Sequence, residues 1–94
     1  MKTVGLDDTV AIHDDTLARA VDGEMVLVSL ASGRYFGLDE IGTLLWEGVE
    51  AGRSLRDVHA DIVAAFEVDA ATAERDLLHL VGELIEARLL TTPT

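Results

Sequence analysis

Between Glu24 and Glu47 the chain reads EMVLVSLASGRYFGLDEIGTLLWE, an apolar strand, a tight turn, a second strand and an amphipathic helix with almost no spacer. This block predicts a β-hairpin docked on a helix. Val26, Val28 and Leu30 share one parity, and so do Phe36 and Leu38 past the turn, so period-two alternation assigns those residues to the faces turned toward a core. Ser32-Gly33 supplies the turn, because Gly tolerates the positive φ of short hairpin connections. The strand Arg34–Leu38 carries the functional interest. Unless another segment pairs beyond it, its backbone N–H and C=O groups stay open to an extended peptide, and an open edge is either a binding site or a hazard.

Around this block the organisation is simple. Met1–Asp8 reads as a loose end, Thr9–His13 as a short first strand, and Thr16–Val21 as either extended chain or a short turn of helix. Asp22-Gly23 turns the chain into the strand Glu24–Leu30. Asp39 is placed to cap a helix whose apolar positions Ile41, Leu44, Leu45 and Val49 recur at helical spacing, ending near Ala51-Gly52. Ser54-Leu55-Arg56-Asp57 fits the capping pattern of a second helix, Leu55–Phe66, with Leu55, Val58, Ile62 and Phe66 on one stripe. Asp69 caps a third and longest helix, about Ala70–Leu89.

That third helix has a wide apolar face. Leu77, Leu78, Leu80, Val81, Leu84 and Ile85 span about 160° at ~100° per residue, whereas a surface helix needs about 100°. The excess fits either a helix buried against both sheet and helix or one margin lining a groove beside the open strand. The order β-β-β-α-α-α gives an α+β fold, winged helix-turn-helix-like, with a three-stranded antiparallel sheet followed by three helices. The whole chain, 1–94, is expected to form a single domain with an ordered core of about 9–90. Pro93 marks a frayed tail.

Composition narrows the function classes. Eighteen acidic against seven basic residues give a net charge of −11, which repels nucleic acid and disfavours anionic membranes, since both depend on clustered Lys and Arg. No apolar run approaches the ~18 residues of a membrane span and the N-terminus lacks the apolar stretch of a signal peptide, so a cytoplasmic location is expected. The absence of Cys removes disulfide and thiolate chemistry.

Catalytic and metal patterns are equally sparse. His13, His59 and His79 lie in three segments and form no H-x-x-x-H or H-E-x-x-H pair. Asp7-Asp8 and His13-Asp14-Asp15 lack the alternating ligands and central Gly of a calcium loop and read as solvated turns. Ser29, Ser32 and Ser54 have no G-x-S-x-G context. No enzyme, metal or cofactor is expected. The aromatics stand out instead. Trp46, at the margin of its helix stripe, either caps the core or approaches a groove, and Tyr35, opposite in parity to Phe36 and Leu38, faces away from the core.

VDGEMVLVSLASGRYFGLDEIGTLLW, the capped helix SLRDVHADIVAAFEVD and the final RDLLHLVGELIEARLL together resemble the PqqD family, small recognition elements that hold the leader of a ribosomally made precursor peptide for its modifying enzymes. The resemblance covers about Val21–Leu90. It is carried by Asp22-Gly23-Glu24, by Ser32-Gly33-Arg34-Tyr35 running into Leu38-Asp39, and by Asp76 spaced before Leu80, Leu84 and Leu89-Leu90. Arg88 departs from the pattern, standing where the family usually has a Gly before the final Leu pair, so the third helix ends without the usual left-handed glycine or runs further. The hairpin S-x-x-S-G-R-Y-F-G-L is more similar to free-standing lasso-peptide leader binders than to the member serving pyrroloquinoline quinone synthesis, whose hairpin is richer in Pro and Glu.

The resemblance implies that a leader adds as an antiparallel strand beside the third strand, with its side chains in the groove made with the third helix. Similar proteins of lasso systems favour a leader Tyr and Pro. The implied contacts are Arg34, Tyr35, Phe36, Gly37 and Leu38 on the strand, and Arg75, Asp76, His79, Leu80, Glu83 and Leu84 on the helix. Arg75 and Asp76 either fix a polar group of the leader or are surface charges. The implied partners are the precursor leader peptide, the leader protease and, through it, a cyclase. The alternatives are a peptide chaperone of pyrroloquinoline quinone synthesis, a winged-helix DNA-binding regulator, and an adaptor that self-associates through the same edge strand. The DNA reading is weakened by a third helix offering Arg75 and Arg88 against Glu74, Asp76, Glu83 and Glu86.

Overall fold

The computed structural model describes residues 4–92. A two-residue strand, β1 (Ala11–Ile12), precedes β2 (Thr16–Val21), β3 (Glu24–Ser29) and β4 (Tyr35–Leu38). Three helices follow, α1 (Glu40–Glu50), α2 (Leu55–Phe66) and α3 (Ala70–Glu86), and a last short strand, β5 (Leu90–Thr91), closes the order. Strands β2, β3 and β4 form an antiparallel sheet in that order, while β1 pairs with β5 in a separate ribbon. The three-strand, three-helix plan is therefore present, with one correction. The segment Thr9–His13 does not supply the first strand of the sheet; Thr16–Val21 does, resolving its ambiguity toward extended chain, and Ala11–Ile12 instead ties the N-terminal segment to the end of the chain.

The hairpin register reverses the expected parity of one strand. Met25 pairs with Leu38 and Leu27 with Phe36, and Met25, Leu27 and Ser29 are buried, so Val26, Val28 and Leu30 lie on the outer face rather than in the core. Every residue from Met25 to Leu30 except Ser29 is apolar, so alternation could not choose between faces. The one polar residue sits on the buried side because its hydroxyl has a partner there, the Arg88 carbonyl. The turn itself is as expected, with Gly33 at φ +73° and its N–H donating to the Ser29 carbonyl at 2.8 Å.

Each helix begins on a side-chain cap. Asp39 accepts from the Gly42 N–H at 2.9 Å, Ser54 from Asp57 at 3.0 Å and Asp69 from Thr72 at 2.9 Å. The Thr72 backbone bond, then its hydroxyl, holds the Asp69 carboxyl below its usual value. Leu27, Leu45, Trp46, Leu55, Ile62, Leu77, Val81, Leu84, Leu89 and Leu90 are the large buried side chains of the core. Trp46 is thus fully internal, with its indole N–H unpartnered. Leu6 is also buried and the Asp8 carboxylate takes the Gly5 N–H at 2.8 Å, so residues 4–8 are packed rather than loose. Pro93 lies outside the described residues.

Helix α3 stops at Glu86, short of the expected Leu89. Arg88 takes the left-handed conformation, φ +62°, while Arg88 N–H bonds the Ile85 carbonyl at 3.0 Å and Leu89 N–H the Leu84 carbonyl at 2.9 Å. These two bonds make a Schellman terminus with Arg where Gly is usual. An L-residue there is strained by about 1–2 kcal/mol. Arg88→Gly is therefore expected to stabilise the protein by about 1 kcal/mol, raising Tm by roughly 4–8 °C in a calorimetric melt. Gly48 behaves oppositely. A Cβ at Gly48 would meet Val58 Cγ2 at 2.5 Å, where α1 and α2 cross. Gly48→Ala is expected to lose about 1–3 kcal/mol in urea unfolding despite its better helix propensity.

Candidate binding groove

The alternation of hydrogen bonds across β3 and β4 decides which backbone groups are free. Ser29 N–H donates to the Arg34 carbonyl at 2.8 Å, and on its other side Leu30 N–H donates to the Asp15 carbonyl at 2.8 Å. In an antiparallel ladder the bonded pairs alternate, so Arg34, Phe36 and Leu38 turn their N–H and C=O groups toward β3. Tyr35 and Gly37 turn theirs outward. Strand β4 is an edge of its sheet, and no other strand pairs beyond it among the described residues. The free edge therefore offers two donors and two acceptors spaced for one extended segment.

The position of α3 makes that edge one side of a groove. At one end, the Ser32 hydroxyl in the β3–β4 turn donates to the Ala87 carbonyl at 2.9 Å. At the other, a cavity of about 270 Å³ brings Asp39 and Ile41, just past β4, to Thr72, Ala73, Asp76, Leu77 and Leu80 of α3, with Ile62 and Val68. Helix and strand thus run antiparallel, joined at both ends. From residue 34 to 39 an extended chain covers ~17 Å, and from residue 76 to 87 a helix covers ~17 Å, so the two sides match in length. Gly42 permits this approach of β4 to α1, since a Cβ there would already lie 3.0 Å from the Leu38 side chain.

The anticipated strand residues divide as parity demands. Phe36 is half-buried, Leu38 is in the core, and Tyr35 is 76% exposed on the outer face. Gly37 has open space where a Cβ would stand. The Arg34 guanidinium lies 5.7 Å from the Phe36 ring centroid, which steadies the start of the strand. On α3, Asp76 and Leu80 line the cavity, and Glu83 continues their helical stripe. Leu84 does not belong to the wall: it is fully buried, and the wide apolar face places it beneath the groove, in the core. Arg75 and His79 point further round the helix, exposed, with Arg75 Nε 3.5 Å from Asp76 Oδ1 and His79 Nε2 3.6 Å from Glu83 Oε1.

Sequence reasoning missed the closed end of the groove. Asp39 reads as a helix cap and part of the family pattern, Ile41 and Ile62 read as helix-stripe positions, and Val68, Thr72 and Ala73 carry no reading, although an apolar Val68 in the α2–α3 connection is the available signal. The serines are structural: Ser54 caps α2, while Ser29 and Ser32 hold the end of α3. The histidines stay apart, His13 accepting the Asp15 N–H at 3.1 Å and His59 Nε2 meeting the Ala70 carbonyl at 2.8 Å. Among the described residues no group of three or more His, Asp or Glu side chains gathers to hold a metal. No helix there is long and apolar enough to cross a membrane.

Comparison with known proteins agrees with this fold. Residues 24–90 match the family described as Coenzyme PQQ synthesis protein D (PqqD). The PqqA binding protein of Xanthomonas oryzae pv. oryzae (strain PXO99A) is 36% identical over 63 residues, 67% of this chain and 68% of its own. That of Xanthomonas euvesicatoria pv. vesicatoria (strain 85-10) is 35% identical over 63 residues, with the same coverage of 67% and 68%. Among solved structures, TbiB1 in complex with the TbiA(beta) leader peptide superposes with a TM-score of 0.80 at 36% identity, covering 85% of this chain and 93% of that one. Lasso peptide synthetase B1 complexed with the leader peptide gives 0.78 at 28% identity, covering 86% and 95%. The chain belongs to the PqqD family.

Proposed function

We propose that this protein binds the leader of a ribosomally synthesised precursor, of lasso type, by strand addition to β4, and presents it to separate modifying enzymes without catalysing a reaction itself. The observation that carries this reading is the free β4 edge running beside α3 into a 270 Å³ apolar cavity. Antiparallel to β4, a leader would run from the cavity toward the Ser32-Gly33 turn. Its backbone meets the outward groups of Tyr35 and Gly37, which sets register. Its inward side chains meet Phe36 and Leu80, and an apolar side chain preceding the strand enters the cavity, which sets choice of partner. An extended leader loses several kcal/mol of conformational freedom on docking, so a few well-buried anchors serve better than many surface charges.

The partners in this reading are the leader protease and, through it, a cyclase, in the cytoplasm. The likeness to two leader-complexed proteins, one of them lasso peptide synthetase B1, matched over 93% and 95% of their lengths, supports the lasso reading. A second reading, a peptide carrier for pyrroloquinoline quinone synthesis, is supported by the 36% identity to a PqqA binding protein. The two are separated by titrating fluorescent leaders of both kinds, with duplex DNA at low salt as the control for a winged-helix regulator. Tight, salt-sensitive retention of DNA with no leader binding would overturn both.

Two substitutions test the mode of binding. Tyr35→Pro removes an outward N–H and no sheet bond, so it is expected to cut leader affinity roughly 3–10-fold, the worth of about one hydrogen bond, while sparing the fold. Leu80→Asp places a carboxylate on the half-buried cavity wall and is expected to weaken binding about tenfold or more, with a smaller loss in thermal stability. Equal losses in calorimetric binding and in melting would show that Leu80 serves the core alone.

A further inference from the structure

The charged side chains at the two ends of β4 are sorted by sign. At the cavity end stand two carboxylates, Asp39 and Asp76, in an otherwise apolar lining that includes Ile41, Val68 and Leu80. Asp39 commits Oδ1 to the Gly42 N–H at 2.9 Å, and its other oxygen makes no hydrogen bond among the described residues. Asp76 touches Arg75 at 3.5 Å, an exposed contact between sequence neighbours that water screens. At the turn end the sign is positive. The Ser29 N–H donates to the Arg34 carbonyl at 2.8 Å and the Ser29 hydroxyl to the Arg88 carbonyl at 3.4 Å, so the backbones of both arginines meet at Ser29. Both arginines are exposed, and neither has a carboxylate partner among the described residues; Glu83 lies 3.6 Å from His79 instead. The Arg34 guanidinium sits 5.7 Å from the Phe36 ring centroid, on the side of β4 that Phe36 shares with the core residue Leu38.

Such an arrangement acts differently from net charge. A body of charge −11 attracts a basic peptide and repels an acidic one wherever the peptide carries its charges. A groove with opposite signs at its ends responds to their order. The ends of β4 are ~17 Å apart, about twice the ~8 Å over which salt screens, so the peptide segment on each end feels mainly the charges there. A chain running antiparallel to β4 meets the carboxylates first and the guanidinium last. The positions it sets beside Asp39 and beside Arg34 are about five residues apart.

We propose that the groove selects its leader by the order of charge along the chain: a basic side chain at Asp39 and Asp76, beside the apolar anchor, and an acidic side chain about five residues later at Arg34. The same arrangement rejects a segment laid in the reverse direction, because a parallel strand would set its base against Arg34 and its acid against Asp76. This rests on the leader-binding reading and adds to it the charge pattern of the peptide that the site accepts.

The test uses the full chain and fluorescein-labelled leaders of the precursor encoded beside it. Each leader carries one Lys and one Glu about five residues apart, in either order, and the pair is stepped through successive registers. The two forms in a register have the same composition and net charge. Anisotropy at low salt is expected to show the Lys-first form binding about five- to tenfold tighter in its best register, a ratio that shrinks as salt is added. The ratio is expected to fall in Arg34→Glu and in Asp76→Lys, and to invert in the double variant. Both forms are compared on the same variant, so a general loss of stability or packing leaves the ratio unmoved. If Arg34→Glu does not fold, Arg34→Gln replaces it, with a reduced ratio expected. Equal affinity of the two forms in every register, a preference for Glu first, or a ratio that survives both substitutions overturns the charge order alone. Failure of the unmodified leader to bind the wild-type chain overturns the leader reading beneath it.

Discussion

Two serine hydroxyls at the hairpin reach across to the carbonyls of the two residues that follow α3, and they fix the hairpin against the end of that helix. Ser32 donates to Ala87 and Ser29 to Arg88, while the next carbonyl, of Leu89, receives the His13 N–H at 3.0 Å and the Thr16 hydroxyl at 3.2 Å. The turn bonds of Arg88 and Leu89 satisfy the Ile85 and Leu84 carbonyls at the end of α3, whereas the carbonyls of Ala87, Arg88 and Leu89, past the helix, must find partners elsewhere. Here the partners come from the sheet, so satisfying the helix end also fixes where the sheet stands. Had those carbonyls turned to water, nothing polar would locate the hairpin relative to α3, and apolar packing alone is weakly directional.

The fixed end has a consequence at the other. With the turn pinned to residue 87 and Leu38 held against Gly42 at the start of α1, β4 spans a set distance and leads toward the cavity lined by Asp39, Asp76 and Leu80. A preformed pair of walls lowers the ordering cost on the protein side, so the cost of docking an extended peptide falls mainly on the peptide. Arg88 is strained in this arrangement, yet its conformation turns the chain so that Leu89 and Leu90 enter the core and β5 reaches β1. The strain is small beside what that closure buries.

Much of this was legible in the chain. The helix caps Asp39, Ser54 and Asp69, the second helix to the residue, and the open strand after Ser32-Gly33 follow from local chemistry, in which a side-chain oxygen or a glycine acts within a few residues. What failed was non-local. The faces of β3 are not readable from alternation because Val26, Val28 and Leu30 are as apolar as Met25 and Leu27, and the bond that marks the buried face, Ser29 to Arg88, joins residues 59 apart in the chain. The β1–β5 pairing has the same character, as does the cavity, which gathers residues from Asp39 to Leu80. Leu84 shares its stripe with Leu80 yet is fully buried, and a wide apolar stripe does not say which margin is covered.

An exposed edge strand four residues long, YFGL, with neither Pro nor Lys nor a bulge to blunt it, ordinarily invites pairing with its own kind. The protein does not protect β4 locally, and the residues that would do so would also exclude a peptide. Protection is delegated to the whole surface. Antiparallel pairing of two β4 edges would bring two bodies of charge −11 within a few ångströms, inside the ~8 Å over which salt screens at physiological strength. A short peptide of low charge would meet a smaller barrier. The acidic composition thus disfavours pairing of one copy's open edge with another's, and the carboxylates Asp39 and Asp76 add negative charge at the cavity beside that edge.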